Sequence, residues 1–125
     1  MKLQEKIKLT LVIPVYNEEK IIEKTLIQVL SYLENEKYEW EVVVVDDGSR
    51  DRTASIVRSF NNKHIRFFSS KFNEGKGAAI RAGVRVARGE FILFSDVDFS
   101  VPIHFIDLFL AKVEKEGDAA IGSRR

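Results

Sequence analysis

Cysteine is absent from this chain of 125 residues, and histidine occurs only twice, at His64 and His104. The first absence excludes disulfides and thiolate metal sites, and it leaves the redox compartment open. The second leaves too little imidazole for a histidine-rich zinc centre, so a hard cation held by oxygen ligands is the easier metal site to build. No stretch approaches the ~18 consecutive apolar residues that span a bilayer. Residues 1–8 alternate charges with single apolar side chains and show no signal-peptide core. An excess of either charge is also missing: 20 Lys and Arg stand against 19 Asp and Glu, a net charge of +1. The chain as a whole therefore has no pull toward nucleic acid or membrane, and no nucleic-acid partner is expected. What remains is 45% hydrophobic and 31% charged, an ordinary soluble composition and enough to bury one core in a single domain over residues 1–125.

Four β-type runs stand out, at 9–15, 41–45, 65–69 and 90–95, with a weaker fifth at 118–122. Val42, Val43, Val44 and Val45 form a continuous β-branched run, the pattern of a strand covered on both faces. Helical spacing fills the intervals. Ile22, Leu26, Val29, Leu30 and Leu33 share one face, with Asn17 placed to cap the start. A second helix is expected to open at Asp51 as N-cap and to turn Ala54, Val57 and Phe60 inward. A third carries Ala79, Ile80, Gly83, Val86 and Ala87, small enough to let a helix lie close to a sheet. A fourth starts at Pro102 and presents Ile106, Phe109, Leu110 and Val113. The order β-α-β-α-β-α-β-α-β with right-handed crossovers predicts an α/β fold, a Rossmann-like, mostly parallel, doubly wound sheet. Ligands of such sheets bind beyond the carboxyl ends of the strands, so function is sought in the segments that leave those ends.

Every one of those segments is polar, charged or glycine-bearing: residues 14–19, 46–51, 73–77, 96–98 and 122–125. Asp96 and Asp98 carry the most chemistry. In extended backbone, residues two apart point the same way, so both carboxylates can face one hard divalent cation. The plain alternative is a turn or helix cap. The pair comes after the apolar run Phe91, Ile92, Leu93 and Phe94, however, and two charges at a sheet's end repel each other without a cation between them. Asp46 and Asp47 end the valine run in the same manner. A carboxylate there can accept from a nucleobase N–H edge, a role expected of Asp46, while Asp47 and Asp51 are credible as turn residues around Gly48 and Ser49. Gly75, Lys76 and Gly77 precede the small-residue helix, where glycine permits close approach and both the helix N-terminus and Lys76 favour an anion. This is not a Walker A loop, whose spacing and Ser or Thr are lacking. Arg81, Arg85 and Arg88 recur at helical spacing and read as a solvated face, His64 and His104 as surface or packing residues, and Tyr38 and Trp40 as packing at the entry of the second strand.

At these residues the chain resembles glycosyltransferase family 2, of GT-A fold. The segments 12–19, 45–53, 73–77 and 96–98 stand in the order and spacing of that family, and the match covers nearly the whole chain. Gly75-Lys76-Gly77 and the closing Ile121, Gly122, Ser123 and Arg124 are most similar to dolichyl-phosphate or polyprenyl-phosphate glucosyl- and mannosyltransferases. The resemblance implies that Pro14, Tyr16 and Glu18 line a nucleotide-sugar site with Asp46 and Lys76. It implies Asp96 and Asp98 as ligands of Mg²⁺ or Mn²⁺ on the diphosphate, and Arg124 on a phosphate of donor or acceptor. In the mannosyltransferases a side-chain amide can join the metal site two residues after the second Asp; here that position is Ser100. The implied activity is an inverting, metal-dependent transfer of a hexose from UDP-glucose or GDP-mannose to dolichyl or polyprenyl phosphate, or to a glycan acceptor. The implied location is cytoplasmic, at the cytoplasmic face of a membrane in the full-length protein. Family members continue further, so a C-terminal truncation is expected, with acceptor-site residues beyond 125 and little or no turnover by this stretch alone. Rival readings are a polysaccharide-extending synthase of the same family and a non-catalytic nucleotide-sugar-binding module. A nucleotidyltransferase would want glycine in the loop after the first strand, which has none, and a haloacid-dehalogenase-type phosphatase places its Asp-x-Asp after the first strand rather than the fourth. Phe99 and Val101 are expected either to face a lipid acceptor or to pack under the fourth helix.

Overall fold

The computed structural model describes residues 6–98 and 102–116. Among the described residues four strands, β1 (Leu9–Val15), β2 (Trp40–Asp46), β3 (Ile65–Ser69) and β4 (Phe91–Phe94), alternate with four helices, α1 (Ile22–Leu33), α2 (Thr53–Ser59), α3 (Lys76–Val86) and α4 (Phe105–Glu116). All pairings are parallel, and the strands lie in the order β3-β2-β1-β4. This is the expected doubly wound architecture. The expected fifth strand at 118–122 lies outside the described residues.

Period-two alternation sorts the two central strands into two cores. Leu9, Leu11, Ile13 and Val15 of β1, with Val42 and Val44 of β2, pack against α1, Val57 of α2, and Ile106 and Leu110 of α4. Val12, Val43 and Val45 face the other way, onto Ala79 of α3. Gly83 lets α3 settle there: a Cβ at this position would overlap Val12 Cγ1 and lie 3.2 Å from Val12 Cγ2 and 3.3 Å from Val45 Cγ2.

Pro14 explains where the sheet opens. Val12 O accepts the Ser95 N–H, whereas Val15 O accepts the Asp47 N–H. Even positions of β1 thus turn their backbone toward β4 and odd ones toward β2. Pro14 is an even position with no N–H to offer, and β4 stops two residues earlier, Phe94 pairing with Val12. A central strand tolerates this proline because its missing donor faces the gap. The gap lies between β1 and β4, the point where the strand order reverses.

Several local expectations are corrected. Asn17 does not cap α1, which begins only at Ile22 after Ile21. Asn17 instead adopts φ 53°, a left-handed conformation that asparagine tolerates. α2 starts at Thr53 with Arg52 in the cap position, and Asp51 serves it from one residue further back by accepting the Thr53 N–H at 2.9 Å. Arg88 lies beyond the end of α3 and is not part of a solvated helical face. Its guanidinium and backbone N–H both donate to Glu41. Glu41, 2% exposed, also accepts from Thr10 Oγ1 at 2.6 Å and Arg66 Nη1 at 3.0 Å. His64 and Trp40 are packing residues, as expected, their rings stacked at 4.0 Å between centroids. Among the described residues no helix is long and apolar enough to cross a membrane.

Candidate active site

The loops leaving β1 and β2 are clasped together before they form any wall. Asn17 N–H donates to Ser49 Oγ at 2.7 Å, and its Oδ1 accepts the Arg50 N–H at 2.9 Å. Glu18 N–H donates to Thr53 Oγ1 at 2.7 Å, and Glu19 N–H to Asp51 Oδ2 at 3.2 Å. Burial acts to raise the Asp51 pKa, but hydrogen bonds from the Thr53 hydroxyl and N–H and the Glu19 N–H outweigh it and hold the carboxyl below its ordinary value. Asp51 is therefore a loop fastener, in line with its reading as a turn residue.

A cavity of about 400 Å³ opens beyond these loops, within the range of small-molecule sites. It is lined by Pro14, Tyr16 and Glu18 from the exit of β1, by Asp96 and Asp98 from the exit of β4, and by Asp47, Asn73, Gly75 and Lys76 from the exit of β2 and the entry of α3; Val15, Ile21 and Ala79 supply apolar surface. Tyr16 is 40% exposed, an aromatic face open to a ligand. Lys76 reaches across and ion-pairs with Asp96. The Glu18 carboxyl has its pKa raised, first by burial and then by the negative charges of Asp98, Asp51 and Asp96. Of the residues singled out by sequence, Pro14, Tyr16, Glu18, Lys76, Asp96 and Asp98 meet in this cavity. Arg124, Ser100, Phe99 and Val101 lie outside the described residues.

The two acids ending β2 divide their labour. Asp46, 1% exposed, accepts the Ser49 N–H at 3.1 Å and the Ser69 hydroxyl at 3.2 Å, and is not part of the cavity wall. Asp47 is on that wall, and its oxygens accept the Glu74 and Gly75 N–H groups, each at 2.8 Å. The acid facing the cleft is thus Asp47, where the residue pattern had favoured Asp46. Alternation accounts for this: Val43 and Val45 face α3, and Asp47, the next odd position, meets the loop entering α3. That loop passes through Gly75 at φ 104°, a conformation natural to glycine.

Asp96 and Asp98 come together by a route other than the one expected. β4 ends at Phe94, and Val97 and Asp98 lie in a turn, so the two acids do not share the face of an extended strand. Val97 between them is the anchor. It is 6% exposed, joins the core under α1, and its carbonyl accepts the Thr25 hydroxyl at 2.6 Å. With Val97 pulled inward, both flanking acids line the cavity. Neither Val97 nor Thr25 stood out in the sequence, although an apolar residue between two acids was the available signal.

The donor set suits a hard cation only in part. Among the described residues no three His, Cys, Asp or Glu groups form a complete metal cluster. Asp96 and Asp98 nevertheless offer oxygen donors in an acid-rich cleft, and Asp96 already carries a cation, the Lys76 ammonium. Such a half-built site fits a dication whose remaining ligands are water and phosphate oxygens.

Residues 10–125 match the family described as glycosyl transferase family 2. A dolichyl-phosphate beta-glucosyltransferase of Trichomonas vaginalis is 40% identical over 111 residues, covering 83% of this chain and 34% of that protein. The crystal structure of S. aureus TarS 1–349 in complex with UDP-GlcNAc superposes with a TM-score of 0.74 at 33% identity, covering 87% of this chain and 32% of that one. A mannosyltransferase from Pyrobaculum calidifontis in complex with GDP-Man and Mn²⁺ gives 0.62 at 31% identity, covering 74% and 28%. The chain spans about a third of the length of the curated relatives it matches.

Proposed function

The chain belongs to glycosyltransferase family 2, and on that premise we propose that residues 1–125 form the nucleotide-sugar-binding part of an inverting glycosyltransferase. It moves a hexose from a nucleoside diphosphate sugar to dolichyl or polyprenyl phosphate. The observation that carries this reading is the cleft at the switch in strand order, where Asp96 and Asp98 flank a buried Val97 and Asp96 pairs with Lys76 at the start of α3. UDP-glucose is the favoured donor over GDP-mannose. This preference draws on a relative named for dolichyl-phosphate glucosyl transfer and on the UDP-GlcNAc complex of a structural neighbour.

In this reading Tyr16 and Pro14 receive the nucleoside, and Asp47 takes the base-facing role that the residue pattern assigned to Asp46. Lys76 and the N-terminal amides of α3 bind the diphosphate, since an anion at that end of a helix is favoured. Asp96 and Asp98 would hold Mg²⁺ or Mn²⁺, which when bound would supply positive charge against the departing nucleoside diphosphate. Arg124 is assigned to a phosphate of donor or acceptor. A lipid phosphate is already anionic at neutral pH, so the protein's task is to hold two anions close and aligned rather than to supply a strong base. Such an acceptor places the full-length protein at the cytoplasmic face of a membrane.

Titration calorimetry with UDP-glucose and GDP-mannose, with and without Mn²⁺, tests the reading. An Asp96→Ala, Asp98→Ala double variant that stays folded is expected to lose more than about tenfold in metal-dependent nucleotide affinity, a loss that even indirect changes around a metal can cause. Unchanged heats in that variant would overturn the assignment.

A further inference from the structure

We propose that Lys76 is a resident counter-cation of Asp96, exchanged when donor and divalent cation arrive, so that the cleft takes diphosphate and metal together far better than metal alone. This rests on the cleft being a donor and metal site, and adds an order to its filling.

Lys76 is the first residue of α3. A cation there is opposed by the partial positive charge of the helix N-terminus; the first turn of α3 itself holds no acid, and the carboxylate at that end, Asp47, is engaged by the Glu74 and Gly75 N–H groups. Its ion-pair partner among the described residues is Asp96, across the cleft on the exit of β4. The side chains are 56% and 29% exposed, so the pair can open into solvent. The backbone beneath Lys76, by contrast, is pinned. Asp47 holds the Glu74 and Gly75 N–H groups at 2.8 Å, and Asn73 Oδ1 accepts the Gly75 N–H at 3.1 Å. Exchange is thereby confined to a flexible four-carbon side chain swinging from a fixed Cα.

The consequence is a coupling between two ligands. A dication entering alone must displace the ammonium from Asp96 and brings no new anion to receive it. A diphosphate entering with the dication offers Lys76 new acceptors as Asp96 is released. Each ligand then strengthens the other by the same factor, as linkage requires.

The test measures Mn²⁺ binding by electron paramagnetic resonance of the free ion, with and without saturating UDP, in the wild type, Lys76→Gln, Lys76→Arg and Arg81→Gln. In Lys76→Gln, Mn²⁺ alone should bind roughly two- to fivefold tighter, the scale of a partly exposed ion pair, and the enhancement by UDP should shrink. Lys76→Arg keeps the place-holding charge and should behave as wild type. Arg81→Gln removes the same charge about one and a half turns further along α3 and should leave Mn²⁺ affinity close to wild type. If Lys76→Gln binds Mn²⁺ no tighter while the wild type still binds Mn²⁺ with UDP, the exchange is wrong and the cleft reading stands. If Arg81→Gln tightens binding equally, the effect is general charge and the exchange is again wrong. If the wild type binds no Mn²⁺ even with UDP, the cleft reading falls and the exchange with it.

Discussion

Replacing Glu41 by glutamine should destabilise the fold without touching the cleft. Glu41 sits at the amino end of β2, five residues before Asp46 and so roughly 16 Å from the ligand edge at strand rise. Its Oε2 accepts Thr10 Oγ1 at 2.6 Å and the Arg88 N–H at 2.8 Å, and its Oε1 accepts Arg66 Nη1 at 3.0 Å and Arg88 Nη2 at 3.2 Å. A glutamine would keep its oxygen toward Thr10 and the Arg88 N–H, because that backbone donor cannot turn away. Its amide would then face two guanidiniums on side chains 26% and 56% exposed; Arg88 can swing into water, whereas Arg66 stays held by the Val86 carbonyl at 2.9 Å. The loss is therefore the charge assistance of two short bonds plus two partly screened ion pairs, less the desolvation the carboxylate no longer suffers, or about 2 kcal/mol net. For a chain of this size that lowers Tm by roughly 8 °C. Burial alone would raise the Glu41 pKa from its ordinary 4.5, but hydrogen bonds from Thr10, the Arg88 N–H and Arg66, with the charge of Arg66, hold it lower. The stability it contributes is thus fully present above the ordinary carboxylate range and is lost as pH falls through the depressed folded value. Urea unfolding of both proteins from pH 7 to pH 3 should show a gap that is largest near neutrality and closes in acid, with UDP affinity equal throughout. A Tm drop under about 2 °C at pH 7, or a gap that does not change with pH, would refute the reasoning.

Gly83→Ala pits a helix-propensity gain of about 1 kcal/mol against overpacking on Val12, a stiff β-branched residue in a fully buried strand, which costs about 1–3 kcal/mol. A net loss near 1 kcal/mol in urea unfolding is expected, and a stabilised variant would show that α3 stands further from the sheet. Asp47→Asn sets an amide against the Glu74 or Gly75 N–H, so those two amides should exchange with solvent faster and UDP should bind several-fold more weakly. Unaltered exchange at both, measured by NMR, would remove Asp47 from its pinning role.

The strand and helix positions were legible because they rest on local regularities. The valine run at 42–45 is apolar on both faces since both faces are covered, and Ile22, Leu26, Val29 and Leu33 fall on one helical stripe, all buried. Parallel order and right-handed crossover place the strand exits on one edge, which is why a rim of polar loops is legible in the sequence. The residue pattern alone was less able to rank neighbours within that rim. Whether Asp46 or Asp47 faces the cleft depends on where β2 ends and which way its last residue turns, a matter of register set by β1 and β3. Asn17 reads as a helix cap in isolation, yet it serves as a clasp between two loops 32 residues apart in the chain.

The amino-acid sequence by itself determined the doubly wound sheet, the family and most of the residues that meet in the cleft, because period, order of elements and motif spacing are properties of the chain alone. Only the tertiary structure decided that Val97 is pulled inward to bring Asp96 and Asp98 to the cavity wall, that Glu41 gathers Thr10, Arg66 and Arg88, and that Lys76 rests on Asp96. Each of these joins side chains distant in sequence, and their choice of partner is fixed by packing and by the need to satisfy buried charge, which no local pattern encodes.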